Sequence, residues 1–413
     1  MITYSKFTLD NGLRVLVHTD NTTPMVAVNV LYDVGAKDEQ EDKTGFAHLF
    51  EHLMFGGSVN IPEYDEPLQV AGGENNAYTT NDLTNYYIQL PKKNIETALW
   101  LESDRMLNLA FSEKSLDVQS KVVCEEFKEN YLNKPYGDVW HHLRELTYKV
   151  HPYKWMTIGK ELSHIENAQL QDVKDFFAKH YNPSNAILCI AGDLSEQEAK
   201  DLVQKWFGNI PAGQKYHRNI ASEPAQDAPR EKTIQAQVPV SALFKAYHIP
   251  ARMQAGYHEC DLITEVLSGG KSARLYQALV KEQKLCSNIS CYHLGTVEPG
   301  LIIIDAKIAE GVDIKQVNQA IDQVIQQFLA EGVTEQELTK VKNKTESILA
   351  FEDLGLINRA NNLAFYELLG DASLINREGD LYNAVTCESL MAHAHRVFAA
   401  NNSNTLYYMA ANN

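Results

Sequence analysis

Two hydrophobic periods alternate along the chain, and together they predict a mixture of β-strands and α-helices. Apolar residues alternate over residues 25–34, which predicts a strand, and the apolar run 186–190 predicts a buried strand. Residues 6–17 predict a β-hairpin, because Asn-Gly stands at the centre of this segment. Apolar positions recur with the helical period over 95–110 and 113–131. The first half of the chain is therefore expected to be mixed α/β.

A similar order of elements returns in the second half of the sequence. Residues 243–249 predict a strand and residues 256–267 a helix, in the order found in the first half. Two long helical patterns follow, over 314–331 and 334–350. We therefore predict two homologous α/β halves.

The length of the chain also favours two domains, since 413 residues exceed what one hydrophobic core usually supports. Residues 214–232 contain two prolines, many polar side chains and no apolar periodicity, which is typical of a linker. The predicted domains are accordingly residues 1–213 and 233–413.

Charge and composition narrow the classes of partner. A formal net charge of −17 argues against nucleic acid and anionic membranes. No apolar run is long enough to predict a membrane span. The N-terminus lacks the apolar region of a signal peptide, so the sequence as it stands predicts a cytoplasmic protein, or a periplasmic one if a signal was removed. None of the six cysteines has CxxC spacing, and buried free thiols are expected.

Three ionisable side chains in the apolar segment 45–55 suit a metal site. In a helix, His48 and His52 lie one turn apart and project from one face. Two such imidazoles can hold one Zn²⁺ at about 2.0–2.1 Å each. Glu51 lies beside them, where a general base for a zinc-bound water is needed. Because burying these groups is costly unless they are paired or metal-bound, a zinc site is favoured over two core histidines.

A zinc site also needs a third protein ligand, and residues 119–129 offer two candidates. Glu125 and Glu126 are adjacent there, and Val122 and Val123 indicate that the segment is partly buried. Helical geometry alone does not choose between the two carboxylates. The alternative is that both are surface charges beside neighbouring lysines.

A resemblance to a known family chooses between them. The segment His48-Leu-Phe-Glu51-His52 has the inverted zincin pattern HxxEH. The sequence resembles the pitrilysin, insulysin and mitochondrial processing peptidase family, in its half-length bacterial form, as the zinc-bearing subunit. Similar segments follow in the family's order over nearly the whole chain, at residues 11–15, 35–39, 45–48, 76–79, 122–126, 134–137, 151–153 and 192–193.

The resemblance implies an α+β fold. Each of the two homologous domains would have a mostly antiparallel sheet packed with helices, and the chain would form half of a clamshell. It implies one Zn²⁺ per chain, held by His48, His52 and Glu126 in the first domain, with no metal site in the second. Asn76 and Ala77 would belong to an edge strand that binds substrate through main-chain hydrogen bonds. The implied function is a zinc metalloendopeptidase acting on peptides or unfolded protein segments. The alternative is a non-catalytic assembly or scaffold subunit of the same family.

One departure from the family bears on partners. In the second half, active members carry an arginine that holds substrate backbone and, seven residues later, a tyrosine that can stabilise an oxyanion. Here Val280 and Ser287 stand at these positions, and the nearby Arg274 and Tyr276 have the wrong spacing. We therefore predict a dimer. A heterodimer with a homologous subunit that supplies the Arg/Tyr pair is favoured over a homodimer that works without it.

Overall fold

Two β-sheets organise the molecule, which is a computed structural model that describes residues 1–411. The strands are β1 (Ser5–Thr8), β2 (Arg14–Thr19), β3 (Met25–Tyr32), β4 (Glu74–Thr79), β5 (Thr84–Pro91), β6 (Ala186–Gly192), β7 (Arg230–Ala236), β8 (Ala242–His248), β9 (Cys286–Leu294), β10 (Leu301–Ile308) and β11 (Ser403–Ala410). The helices are α1 (Phe46–Leu53), α2 (Asp65–Val70), α3 (Ile95–Asn108), α4 (Glu113–Phe127), α5 (Val139–Thr147), α6 (Leu162–Glu166), α7 (Leu170–His180), α8 (Glu196–Phe207), α9 (Tyr257–Ser268), α10 (Ile314–Glu331), α11 (Glu335–Glu352), α12 (Leu356–Leu368), α13 (Glu378–Ala384) and α14 (Cys387–Val397).

The first sheet has the order β1-β2-β6-β3-β5-β4. Only the β2–β6 pair in it is parallel, and the other neighbours are antiparallel. Strand β6 is buried along its whole length, which explains its unbroken apolar sequence. Strand β4 pairs with β5 alone within this sheet and therefore lies at its edge.

The second sheet repeats this plan with the order β7-β11-β8-β10-β9. Its β7–β11 pair is parallel and takes the place of β2–β6, while β8, β10 and β9 follow antiparallel, like β3, β5 and β4. The predicted fold class is confirmed, since helices pack on two mostly antiparallel sheets.

The chain divides into two compact units, and each unit takes a segment from the other half of the sequence. The first unit is Met1–Lys128, Trp155–Ile220 and Ala350–Arg377, and the second is Glu129–Lys154, Ala221–Leu349 and the residues from Glu378 onward. Strand β7 begins at Arg230, within the segment predicted as a linker. The boundaries 1–213, 214–232 and 233–413 stay predictions.

The cysteines of the molecule are free, and most of them are buried. The six cysteines are free thiols, and all except the half-buried Cys387 are buried, as predicted. Within residues 1–411, no helix has the length and apolar character that crossing a membrane requires.

Helix α12 reaches the first sheet from far along the sequence and is held there by a cluster of asparagines. It packs against β3 and β6. The Asn29 amide donates to Oδ1 of Asn85 at 2.8 Å and to Oδ1 of Asn361 at 2.6 Å. Asn29 and Asn85 are fully buried. Because buried polar groups need partners, this cluster specifies where α12 docks.

Replacing Asn361 with leucine is expected to lower the free energy of unfolding by about 2 kcal/mol, because N–H groups of Asn29 lose a buried partner. Urea denaturation would measure this loss. Asn362→Leu is the matched control, since Asn362 stands next on the same helix and has no hydrogen bond from its side chain within residues 1–411. Equal losses for the two variants would contradict the role given to the cluster.

Candidate metal centre

The helix α1 carries the candidate site, and its first turn is fixed by a buried carboxylate. Glu39 accepts the N–H of Gly45 at 2.9 Å and the N–H of Ala47 at 2.8 Å. Gly45 has a φ of +90°, and a Cβ there would lie 2.7 Å from the carbonyl oxygen of Ile158. Burial raises the pKa of Glu39 to about 8, while the two N–H groups favour its charged form. Glu39 therefore caps the N-terminus of the helix and fixes its start.

Apolar residues hold α1 against the rest of the first unit. Its buried side chains are Phe46, Ala47, Leu49, Phe50 and Leu53. The side chains of His48, Glu51 and His52 are half-buried on the remaining face. This division follows from the helical period, which places positions 48, 51 and 52 on one side.

Helix α4 brings Glu126 to the two histidines. Oε2 of Glu126 lies 3.7 Å from Nε2 of His48 and 3.6 Å from Nε2 of His52. A metal ion needs at least three ligand side chains close together. Within residues 1–411, His48, His52 and Glu126 are the one set of three or more His, Cys, Asp or Glu residues whose ligand atoms all lie within 4.8 Å of one another. Glu125 instead accepts a hydrogen bond from Lys128 at 2.8 Å, and 73% of its side chain is exposed.

The three donors fit a catalytic zinc ion in number, type and spacing. Two imidazole nitrogens and one carboxylate form a known catalytic zinc set, which leaves a fourth position open. Tetrahedral ligands at about 2.0–2.1 Å from zinc lie roughly 3.3 Å apart, close to the 3.6 and 3.7 Å observed. Burial is the main cause that lowers the pKa of His48 to about 4, and the nearby His52 lowers it further. His48 is therefore neutral at pH 7, as a metal ligand must be.

Glu51 lies on the same face and is bound by the end of β4. The hydroxyl of Thr79 donates to Oε2 of Glu51 at 2.5 Å. Burial raises the pKa of Glu51, whereas the hydrogen bonds from Thr79 and the nearby His52 lower it. A carboxylate whose pKa is raised is a better proton acceptor near neutral pH.

Asn76 and Ala77 lie in the edge strand β4 and do not belong to the candidate metal-binding group of His48, His52 and Glu126. They pair with Tyr87 and Tyr86 of β5. The N–H of Ala77 donates to Oδ1 of Asn76 at 2.8 Å, at an exposed position. This N–H therefore points away from β5, toward the free edge of the sheet, where a further strand could accept it.

The positions of the missing Arg/Tyr pair lie in the second unit. Val280 packs against the core of that unit, and the exposed Ser287 is the second residue of the edge strand β9. Arg274 forms an ion pair with Glu337, to which it donates two hydrogen bonds of 2.8 Å each. Lys284 has a φ of +55°, in the left-handed region that residues other than glycine rarely adopt.

Lys284→Gly is expected to raise the free energy of unfolding by about 1 kcal/mol, because glycine adopts a positive φ without the strain of a side chain. Chemical denaturation would measure the gain. Gln283→Gly is the matched control and should destabilise, since Gln283 has a φ of −82°. A loss of stability in both variants would contradict the strain inferred at Lys284.

Two residues that contact the candidate site, Thr79 and Glu39, received no role from the sequence. Both lie in segments that resemble the family, residues 76–79 and 35–39, but neither was given a role. The resemblance was thus a signal for both, whereas their contacts with Glu51 and with the start of α1 appear only in the structure.

An HxxEH helix, a third carboxylate from a later helix and a nearby sheet edge define the inverted zincin class. The chain belongs to the insulinase family, peptidase family M16. The family model described as "Insulinase (Peptidase family M16)" matches residues 14–161, and the one described as "Peptidase M16 inactive domain" matches residues 167–345. The resemblance inferred from sequence is confirmed.

Relatives and solved structures agree with this assignment. The chain is 29% identical to the zinc protease PqqE of Helicobacter pylori over 345 residues, which cover 82% of this chain and 78% of that protein. It is 29% identical over 206 residues to the mitochondrial-processing peptidase subunit beta of Saccharomyces cerevisiae, covering 49% of this chain and 44% of the relative. The crystal structure of a protease from Helicobacter pylori superposes with a TM-score of 0.93 at 26% identity, covering 99% of this chain and 100% of that one.

Proposed function

We propose that this protein is a zinc metalloendopeptidase that hydrolyses peptides or unfolded protein segments. The observation that carries the proposal is the meeting of His48, His52 and Glu126 within 4.8 Å. Glu51 lies on the same helix as the two histidines, and its carboxylate contacts the end of an edge strand. A relative named as a zinc protease supports the proposal.

The two histidines and Glu126 would hold one Zn²⁺ per chain. When bound, this ion would polarise the scissile carbonyl and lower the pKa of water from about 15.7 toward 7. The neutral state of His48 supports this role, because no proton has to leave it before it can act as a ligand.

Glu51 would be the general base. Its Oε2 is bound by Thr79, which leaves Oε1 to face the reaction. The carboxylate would accept a proton from the attacking water and pass it to the leaving amine. Burial raises the pKa of Glu51, which favours acceptance of the proton from water.

The edge of β4 would bind the substrate as an added strand. Main-chain hydrogen bonds recognise any peptide backbone, so specificity for particular side chains would be low. The Ala77 N–H is on this edge, and the amide of Asn76 covers it. A substrate carbonyl would replace Oδ1 of Asn76, whose side chain would then be free to bind the peptide.

A homologous subunit would supply the Arg/Tyr pair that this chain lacks. Val280 is apolar and Ser287 is too short for the role of a tyrosine, so neither can replace the pair. The name of one relative, a processing peptidase subunit beta, is consistent with such an assembly. The favoured assembly is therefore a heterodimer.

Metal dependence tests the proposed function. The purified chain, alone and mixed with a homologous chain that carries the Arg/Tyr pair, would be assayed on quenched fluorescent peptides before and after chelation. We expect chelation to abolish hydrolysis and one equivalent of zinc to restore it. Bound zinc without hydrolysis in either sample would contradict the proposal and favour a non-catalytic assembly subunit.

A further inference from the structure

Thr79 joins the candidate base to the strand that carries the candidate substrate edge. It is the last residue of β4, and α1 packs on this strand. Its hydroxyl donates to Oε2 of Glu51 at 2.5 Å. Among residues 1–411, no other side chain donates a hydrogen bond to Glu51. The orientation of this carboxylate therefore depends on one hydroxyl.

The backbone of β4 places this contact at the free edge of the sheet. In an antiparallel pair, every second residue turns its N–H away from the partner strand. The N–H of Ala77 points outward, since it binds Asn76 rather than β5. Thr79, two residues later, has the same backbone orientation, and its hydroxyl donates to Oε2 of Glu51. The carboxylate thus lies against the edge to which a substrate strand would add.

We infer that Thr79 is a positioning residue that fixes the carboxylate of Glu51 at the free edge of β4. One strand would then position both the substrate backbone and the general base. The inference rests on the proposed function, since it assigns a role within that reaction. Thr79 acts through Glu51 and does not itself exchange a proton with the substrate.

The strength of the effect follows from geometry. A half-buried glutamate without this bond can adopt other rotamers. A displacement of about 1 Å at a reacting group can cost about 10²-fold in rate. Binding of the peptide to the strand edge would be unaffected, because main-chain groups do not depend on the hydroxyl. The loss should therefore fall on kcat rather than KM.

Thr79→Val tests the inference, because valine keeps the shape and the β-branch of threonine. We expect kcat to fall about 10- to 100-fold with KM within about twofold, unchanged zinc content, and recovery of most of kcat in Thr79→Ser. Thr8→Val is the matched control, since Thr8 is likewise the last residue of an antiparallel strand and is not bound to Glu51. It should leave kcat unchanged.

The same substitution in a Glu51→Gln background separates positioning from general damage. If Thr79 acts through Glu51, the second change should cost little further activity. An equal loss in both backgrounds, no loss in the wild-type background, or failure of Thr79→Ser to restore kcat would overturn the inference.

Crystal structures of the wild type and Thr79→Val test the inference without turnover. We expect the Glu51 carboxylate to leave the edge of β4 in the variant, and an unchanged carboxylate would overturn the inference. A wild-type chain that cleaves no peptide, alone or with a partner, would count against the proposed function only. The two failures are therefore distinguishable.

Discussion

Replacing Glu51 with glutamine is expected to lower kcat for peptide hydrolysis by about 10²- to 10⁴-fold, while zinc remains bound. Glutamine keeps the size of the side chain but cannot accept a proton. The metal should stay because Glu51 is not among the three grouped donors. Steady-state kinetics on zinc-loaded protein, with metal content measured on the same sample, would check both parts.

A matched control for this variant is Glu125→Gln, which makes the same chemical change at an exposed carboxylate bound to Lys128. It should retain the wild-type kcat. If Glu51→Gln turned over peptide at the wild-type rate, the assignment of the base would be wrong.

Replacing Glu126 with glutamine is expected to weaken zinc binding by at least about 100-fold, because it removes a charged ligand from a three-ligand site. Competition with a chromogenic chelator would measure the dissociation constant. The neighbouring Glu125→Gln should bind zinc like the wild type, since its carboxylate points away from the histidines.

This pair of variants distinguishes the two adjacent carboxylates directly. Weakened binding in Glu125→Gln with no change in Glu126→Gln would contradict the placement of the metal. A similar weakening in both would indicate that α4 tolerates neither change, and circular dichroism of the two variants would reveal such a loss of structure.

Local patterns in the sequence were sufficient to predict most individual elements. The alternating segment 25–34 corresponds to β3, which ends at Tyr32 because the chain turns there, with Val34 donating to the carbonyl of Tyr32. The helical pattern 113–131 corresponds to α4, whose α-helical part ends at Phe127 and continues as a π-helical turn. Side-chain periodicity does not distinguish these two kinds of turn.

The arrangement of the segments could not be predicted in the same way. The hydrogen bond from Asn29 to Asn361 joins residues 332 positions apart. The pattern of α12 predicts an amphipathic helix but not the sheet against which it packs. The exchange of residues 350–377 into the first unit therefore depends on tertiary contacts alone.

In the candidate site too, the sequence predicts features within one helix but not contacts between elements. The spacing of His48 and His52 predicts a shared face, because both belong to one helix. The choice of Glu126 over Glu125 needed the family resemblance, since it depends on how α4 is rotated relative to α1. The contact between Thr79 and Glu51 joins a strand to a helix, and no local period encodes it.

Hydrolysis in ¹⁸O-labelled water tests whether the protein cleaves peptide bonds with a water molecule that Glu51 activates. Zinc-loaded protein, alone and with a homologous chain that carries the Arg/Tyr pair, would be incubated with an unfolded protein, and the products analysed by mass spectrometry. We predict new peptide termini whose carboxylates contain ¹⁸O, and none above background with Glu51→Gln. New termini formed equally by the variant, or none formed by the wild type with or without the partner chain, would contradict peptide hydrolysis with Glu51 as the base.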